Sequence, residues 1–208
     1  MANAENKPAE HPVVFTVGHS NVALETFLAL LKQHAIEVLV DVRSEPYSKY
    51  VPHFNGASLK EAVTNAGIKY LYIGRELGGR PREPEFYDPD GYVRYDLLAV
   101  SPQFKQGIER LQRGVKSYRV AVMCNEENPA ECHRRLLVGR VLAEKGIQVL
   151  HIRGDGRLQS EDDLLAEERK RAPDELQQEL AFVVREKPEW KSTRSVSRGS
   201  PPKLSSAH

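Results

Sequence analysis

The sequence predicts an α/β fold, with a mainly parallel five-stranded sheet, helices on both faces (a Rossmann-like three-layer sandwich) and extra C-terminal helices. Three observations predict it. Short apolar segments alternate with segments whose apolar residues recur at helical spacing. The short segments are apolar almost throughout, which is typical of parallel strands buried on both faces. With 208 residues, 40% hydrophobic and 28% charged, the chain can bury such a core.

The strands and helices alternate in order along the chain. The predicted strands are residues 13–18, 36–43, 68–74, 118–124 and 147–152. The first helix is indicated by the spacing of Leu24, Phe27, Leu28 and Leu31. Further helices are predicted at 57–67, 102–114 and 129–145. A stretch rich in Gly, Pro and Arg, from Arg75 to about Gly91, predicts a long loop.

Composition divides the chain into four regions. Polar residues 1–11 predict a disordered leader, and they lack the apolar segment of a signal peptide. Residues 12–153 form the α/β domain, and 154–186 a helical extension in which Ser160 and Asp163 resemble a capping box and Pro173 fits a first helical position. Residues 187–208 are rich in Ser, Pro and basic residues, which predicts a disordered basic tail that is dispensable for folding.

Charge and cysteine content favour a cytoplasmic protein. The net charge of +1 does not by itself indicate a nucleic-acid or membrane binder. No apolar run is long enough to span a bilayer, so no membrane partner is expected. Two cysteines do not make a disulfide scaffold, and both thiols are expected to be reduced. The sequence indicates no oligomeric state.

Polar residues collect after the ends of four predicted strands. In open α/β sheets, ligands bind outside the carboxyl ends of the strands, so these residues are expected to line one cleft. Catalytic roles are predicted for His19, Cys124, Glu126, His133 and Arg134. Substrate-binding roles are predicted for Ser20, Asp41, Arg43, Gly78, Gly79 and Arg80. Each alone also fits a turn, a cap or an ion pair, so the prediction rests on their convergence.

The segment around the second cysteine predicts a helix that begins at Pro129. Asn128 suits the N-cap, Pro129 the first helical position, and Glu131 the third. On that helix Arg134 falls on the apolar face, and Cys132 points away from it. A buried charge needs a partner, so Arg134 is expected to pair with a carboxylate or to serve a bound anion. The expected carboxylate is that of Asp41 or Glu126.

Three interpretations of the thiols stay open. Cys124 at a strand end can be buried and inert, or it can be reactive because a helix N-terminus lowers its pKa. As a metal site, the spacing Cys-x7-Cys-His matches no standard zinc pattern and would need His19 or Glu126 as a further ligand. We therefore predict no metal, and no cofactor is indicated.

With these motifs, the chain is identified as a member of the domain-of-unknown-function 488 family over about residues 14–153. The resemblance rests on TVGHSN (16–21), LVDVRSEPYS (39–48), Phe54-Asn55 followed by Leu59, ELGGR (76–80) and MCNEENPAECHR (123–134). The last resembles the family's signature of Cys, Glu, Pro and then Cys-His-Arg. The resemblance implies the fold and the site but no reaction, because the family's activity is not established.

A second resemblance is to rhodanese-like domains. It rests on VLVDVR (38–43) and on a later strand, Cys loop and helix in the same order. In that family the loop cysteine carries a persulfide cradled by backbone amides. The loop from Cys124 to Arg134 is longer here and contains Pro129 and a second cysteine.

Three functions remain open. The first is an enzyme acting on an anionic substrate, phosphate-containing or related to nucleic acid, because arginine forks suit such groups. The arginines concerned are Arg43, Arg75, Arg80, Arg82 and Arg134. The second is a non-catalytic nucleotide or nucleic-acid binding module, with bases stacked on Tyr47, Tyr50, Phe54, Phe86 and Tyr87. The third is a thiol redox or sulfur-handling protein that uses Cys124 and Cys132.

Overall fold

The computed structural model describes residues 12–171 and 190–195, and in this part six strands form one sheet. The strands are β1 (Val13–Gly18), β2 (Val38–Asp41), β3 (Lys69–Tyr72), β4 (Val120–Cys124), β5 (Gln148–Ile152) and β6 (Leu158–Ser160). Their order is β3-β2-β4-β1-β5-β6, and the first five are mutually parallel. All five predicted strands therefore share one sheet, which confirms the α/β fold. Four of them are shorter than predicted, because backbone pairing ends before the apolar run does.

The sixth strand corrects the sequence-based boundary of the helical extension. β6 pairs antiparallel with β5, within residues expected to be helical. Gly156, with a φ of 85°, reverses the chain between the two strands. The helix α7 (Glu161–Arg171) then begins at the predicted capping box, where the Ser160 hydroxyl and the Asp163 backbone and carboxylate bond each other. The predicted role of Pro173 lies outside the described residues.

Helices cover both faces of the sheet, as predicted. One face packs against α1 (Leu24–Gln33) and α2 (Gly56–Asn65). The other packs against α3 (Gly74–Leu77), α4 (Tyr95–Leu98), α5 (Pro102–Val115) and α6 (Arg140–Glu144). Side chains of β1 alternate between the two cores, with Val14 in one and Phe15 and Val17 in the other. No helix in the described ranges has the length and apolarity needed to cross a membrane.

The helix predicted to begin at Pro129 is broken into three pieces. Asn128 caps as expected, accepting from the Ala130 amide, but the turn it starts is a 310 turn of only three residues (Pro129–Glu131). Cys132 is then extended, with φ −109° and ψ 136°. A π-helical segment (Arg134–Gly139) follows and continues into α6. Wide π turns are rare and are frequently found at functional sites.

Part of the predicted disordered tail is docked on the domain. The Trp190 indole donates to the Leu136 carbonyl at 2.7 Å and lies under the Arg140 guanidinium, 4.2 Å from ring centre to Cζ. The Ser192 amide donates to the Val93 carbonyl at 2.9 Å. The expectation of disorder is thus wrong for residues 190–195. The average composition of the tail is polar, but Trp190 alone supplies a large apolar surface and an indole N–H donor. The leader, and the rest of the predicted tail, lie outside the described residues.

Candidate functional site

The predicted polar residues meet at the carboxyl ends of three neighbouring strands, β2, β4 and β1. Gly18 is in register with Cys124, and Asp41 with Met123, so the three strands end side by side. The residues form two groups. We call Asp41, Arg43, His19 and Tyr70 the arginine network, and Cys124, Glu126, Cys132 and His133 the thiol cluster.

The arginine network is a closed set of charge-assisted hydrogen bonds. Arg43 bonds both carboxylate oxygens of Asp41, from Nε to Oδ1 at 2.9 Å and from Nη2 to Oδ2 at 2.6 Å. The Arg43 backbone amide and the Tyr70 hydroxyl also donate to this carboxylate. Asp41 is fully buried and Arg43 nearly so. The polar atoms of both side chains are therefore largely used within the protein. Burial and the negative charge of Asp41 also raise the pKa of Tyr70.

His19 completes the network as a neutral ring. Its Nδ1 donates to the Ser20 carbonyl at 2.7 Å, and Arg43 Nη1 donates to its Nε2 at 3.1 Å. The Asn125 side-chain oxygen, Oδ1, lies 2.9 Å from the same Nε2. The ring stacks on Phe54 at 4.1 Å between centroids. Burial, with the neighbouring Arg43 charge, lowers the pKa of His19 from 6.5 to about 4, so the imidazole is uncharged at neutral pH.

The thiol cluster brings both cysteines of the chain onto one carboxylate. Cys124 Sγ and Cys132 Sγ each lie 3.1 Å from Glu126 Oε2. The Nδ1 atom of His133 lies 3.5 Å from Cys124 Sγ and 4.0 Å from Cys132 Sγ. Both thiols are buried, and Glu126 and His133 are half-buried. The prediction that Cys132 points away is wrong, because the extended backbone at this residue breaks the helical phase on which it depended.

Two backbone contacts fix the imidazole of His133. Its Nε2 donates to the Val42 carbonyl at 3.2 Å, which leaves Nδ1 as the nitrogen that faces the sulfurs. Gly79 lies directly against the ring: a Cβ on this residue would be 2.6 Å from His133 Cγ. Any side chain at position 79 would therefore displace the imidazole.

The cluster holds negative charge on one of its two thiols. Burial raises the pKa of Cys132, but the hydrogen bond from Cys124 and the positive Arg134 and His133 outweigh burial and lower it. The pKa of Cys124 is raised by that same hydrogen bond and by burial. Burial lowers the pKa of His133, but Cys132 and Glu126 raise it above its usual value. Of the two thiols, Cys132 is thus the one whose deprotonated form the surroundings favour.

Arg134 is fully buried, as its position on the apolar face predicted, but the predicted carboxylate partner is wrong. Its guanidinium donates to the backbone carbonyls of Glu126 and Glu127, the latter at 2.6 Å, and Nε lies 3.3 Å from Thr16 Oγ1. The acceptors are carbonyls because the loop after β4 folds back over the strand ends. Gly18 permits this approach, since a Cβ there would be 1.7 Å from the Glu126 oxygen.

The remaining predicted residues border the two groups. Ser20 is exposed and takes a positive φ of 46° beside His19. Gly78 packs against Ser44, whose hydroxyl accepts from the Arg80 amide at 2.9 Å. The Arg80 side chain is exposed, and its guanidinium forms no hydrogen bond or ion pair with any residue that the structure describes. Its fork is free for a ligand.

Tyr95, which the sequence did not predict, lies near the thiol cluster. It is buried, and its pKa is raised by burial and then by the negative charges of Cys132, Cys124 and Glu126. It comes from α4, after the long loop, and no motif or strand end marks it. Only the three-dimensional packing of that loop could have identified it.

The donor atoms of the cluster come together although their spacing in the sequence matches no standard zinc pattern. Within the part of the chain that the structure describes, the ligand atoms of Cys124, Cys132 and His133 all lie within 4.8 Å of one another. Linear spacing missed this arrangement because the 310 turn and the extended Cys132 let two adjacent residues reach the same point. Thiolates and an imidazole are ligands that zinc prefers.

The fold and the site define an α/β protein with a polar centre at the carboxyl edge of an open, mostly parallel sheet. The profile of "Domain of unknown function DUF488" matches residues 23–141, more than half of the chain. The protein belongs to this family.

One solved structure matches, from Shewanella putrefaciens CN-32, described as "Putative phosphatase (DUF442)". It is 17% identical, with a TM-score of 0.39, and the match covers 64% of this chain and 66% of that one. No curated protein sequence matches. Neither match is to a rhodanese-like domain.

Proposed function

We propose that the protein is an enzyme that acts on an anionic, phosphate-containing substrate at the carboxyl edge of the sheet. One observation carries this proposal: a cluster of two thiols, an imidazole and a carboxylate lies at the strand ends where an exposed arginine has a free fork. The thiol cluster supplies the chemistry, and Arg80 binds the anion. In this assignment the arginine network is the rigid floor of the site.

The charge distribution gives each group a role. The thiolate of Cys132 is the electron-pair donor of the site, and Glu126 accepts the proton of the neighbouring thiol. His133 holds positive charge beside that thiolate. Arg80 is planar and permanently charged, so it suits two oxygens of a phosphate group.

Among phosphate-containing substrates, the exposed residues beside the site favour nucleic acid. The loop after β2, at the same edge, exposes Tyr47 and Tyr50 by 74% and 82%. Aromatic rings that are this exposed provide surfaces for stacking bases. Lys49 lies between them and adds positive charge for the backbone.

The proposal is tested with inorganic phosphate, a mononucleotide and a single-stranded oligonucleotide as probes. We expect Arg80→Ala to weaken binding by about 10- to 150-fold, since a charge-assisted hydrogen bond contributes roughly 1.5–3 kcal/mol. Arg113→Ala removes an exposed arginine from the far end of α5 and should bind like wild type. Equal affinities for the two variants would refute Arg80 as the anion ligand.

Catalysis is tested separately from binding. Phosphorus NMR of each probe, incubated with the protein, should show a new product with wild type and none with Cys132→Ser. If Cys132→Ser and wild type bind alike and neither forms a product, the protein is a binding module and the enzymatic part of the proposal is wrong.

A thiol redox protein is the second candidate, and the position of both sulfurs on one carboxylate oxygen favours it. Oxidation would join the two sulfurs in a disulfide with loss of two protons and two electrons to a thiol oxidant. Mass spectrometry after diamide treatment should then show a reversible loss of two mass units, with a defined reduction potential in a thiol buffer.

A further inference from the structure

We propose that the thiol cluster is a binding site for a divalent ion of the zinc class, with Cys124 Sγ, Cys132 Sγ, His133 Nδ1 and Glu126 Oε2 as its ligands. The inference concerns the same cluster as the proposed function. An ion bound there would take the electron pair of Cys132, so Cys132 would act as a ligand and not as the group that attacks the substrate. The inference holds whether or not the substrate is an anion.

The distances between the donor atoms fit a tetrahedral site. In tetrahedral zinc, bonds of about 2.3 Å to sulfur and about 2.0 Å to nitrogen or oxygen place a sulfur about 3.5 Å from the other donors. His133 Nδ1 lies 3.5 Å and 4.0 Å from the two sulfurs. Glu126 Oε2 lies 3.1 Å from each sulfur. These four donor–donor distances thus lie within about half an ångström of the tetrahedral value.

The imidazole is oriented as metal-binding histidines are. A ligating histidine usually donates its other ring nitrogen to a carbonyl or carboxylate, which fixes the ring and directs the free lone pair at the metal. Here His133 Nε2 donates to the Val42 carbonyl, and Nδ1 points at the two sulfurs. Gly79 packs against this ring, where a side chain at position 79 would displace it. The ring is thus held in place by contacts outside the ligand set.

Charge balance also fits a divalent ion. The two thiolates and the carboxylate carry three negative charges, and a divalent ion leaves one. Arg134, buried behind the loop that carries Glu126, offsets that charge.

The ligand set also indicates which ion binds and where the site is open. Two thiolates favour zinc and similar soft ions over magnesium or calcium, which prefer oxygen. Both cysteines are buried, and the half-buried His133 ring is fixed by the Val42 carbonyl, whereas Glu126 is half-buried and no backbone group fixes its carboxylate in the part of the chain that the structure describes. Glu126 is therefore the ligand that water or a substrate oxygen would replace.

The test uses the full chain, reduced and in the absence of any phosphate-containing probe. Elemental analysis of purified protein should show one zinc per chain. Cobalt added to chelator-treated protein should produce the intense visible bands of tetrahedral cobalt and the near-ultraviolet thiolate-to-cobalt charge-transfer band. Competition with a chelator of known affinity gives the dissociation constant.

Variants locate the ion. Cys132→Ser and His133→Asn should weaken cobalt binding by at least about 100-fold, whereas Glu126→Gln should weaken it less, since water can take its place. His53→Gln, outside the cluster, should bind like wild type and serves as the control. If reduced wild type binds no cobalt, or Cys132→Ser gives the wild-type spectrum and affinity, the proposal is wrong. Neither result bears on whether Arg80 binds an anion.

Discussion

The arginine network and the thiol cluster lie side by side at one edge of the sheet, and they differ in how completely their polar atoms are used. In the first, the Asp41 carboxylate receives donors at both oxygens and Arg43 reaches both Asp41 and His19. In the second, two sulfurs share one carboxylate oxygen and a ring nitrogen faces them. A network whose polar atoms all bond one another stabilises the fold. A cluster in which several ligand atoms share few partners can bind a metal ion or a substrate.

This difference changes the roles assigned from the sequence. Arg43 and Asp41 were predicted to bind substrate, and the structure shows them engaged with each other and with His19. Their buried pair now fits the role of holding the strand ends in place. Arg80, from the same prediction, is the arginine whose fork remains available.

The largest expected effect tests whether the arginine network is structural. Arg43→Leu should lower the free energy of unfolding by about 3–5 kcal/mol, because it leaves the buried Asp41 carboxylate without its cation. Arg157→Leu breaks an exposed pair with Asp155 and should cost at most about 1 kcal/mol. In the presence of a chelator, Cys132→Ala should cost about 1 kcal/mol, since His133 can give up its proton once the thiol is removed and no charge then stays without a partner. Urea unfolding measures the free energy of unfolding of the three variants. Equal losses for Arg43→Leu and Cys132→Ala would show that the arginine network is no more structural than the thiol cluster.

The next effect concerns Arg134, which connects the core to the loop of the thiol cluster. Arg134→Leu should cost about 2–4 kcal/mol, because it leaves the carbonyls of Glu126 and Glu127 without donors. Arg134→Lys should recover part of this loss, since an ammonium lacks the planar fork. Thermal and urea unfolding measure both variants. Wild-type stability in Arg134→Leu would show that solvent satisfies those carbonyls.

A pH effect should come from the arginine network through His19. Its pKa is about 4 in the folded protein and about 6.5 in an unfolded chain. As the pH falls below 6.5 the unfolded chain takes up the proton first, so stability is present above 6.5 and is lost as the pH approaches 4. We expect His19 to account for a loss of about 2 kcal/mol between pH 7 and pH 5.

The measurement compares urea unfolding of wild type and His19→Gln at both pH values. The variant should lose less stability on acidification than wild type. The same loss in both proteins would show that the ring accepts its proton without breaking the network.

The smallest effect tests the docked segment on the far side of the π-helical segment. Trp190→Ala should cost about 1–2 kcal/mol, because it removes the bond to the Leu136 carbonyl and the contact with Arg140. Arg194→Ala removes an exposed ion pair with Glu131 and should change stability by less than about 1 kcal/mol. An unchanged melting temperature for Trp190→Ala would restore the sequence-based expectation of a dispensable tail.

The sequence predicted the sheet because its signal is local. The apolar runs of β2 and β4 are buried throughout and that of β1 is buried from Val14 on, and alternation with amphipathic helices then implies a parallel sheet. The position of the site followed from a general rule about strand ends, which requires no side-chain geometry.

The sequence could not predict which of the polar residues would form hydrogen bonds and ion pairs with one another. That depends on the backbone between Asn128 and Gly139, where a helical pattern folds as a 310 turn, an extended residue and a π segment. Helical phase placed Arg134 correctly, because it lies in the helical part, and misplaced Cys132, because it does not. Tyr95 was missed since it reaches the site through packing of a loop without motifs.

The π-helical segment bears on how this chain tolerates insertion and deletion. Such a segment is a helix with one residue more than its hydrogen-bonding pattern needs, and one residue corresponds to about 100° of rotation. A deletion between Arg134 and Gly139 could restore a regular helix without changing α6, yet it would rotate Arg134 away from the two carbonyls that it holds. The length of this helix therefore affects the shape of the site. A helix one residue shorter would be more regular, but Arg134 would no longer bond the loop carbonyls of Glu126 and Glu127.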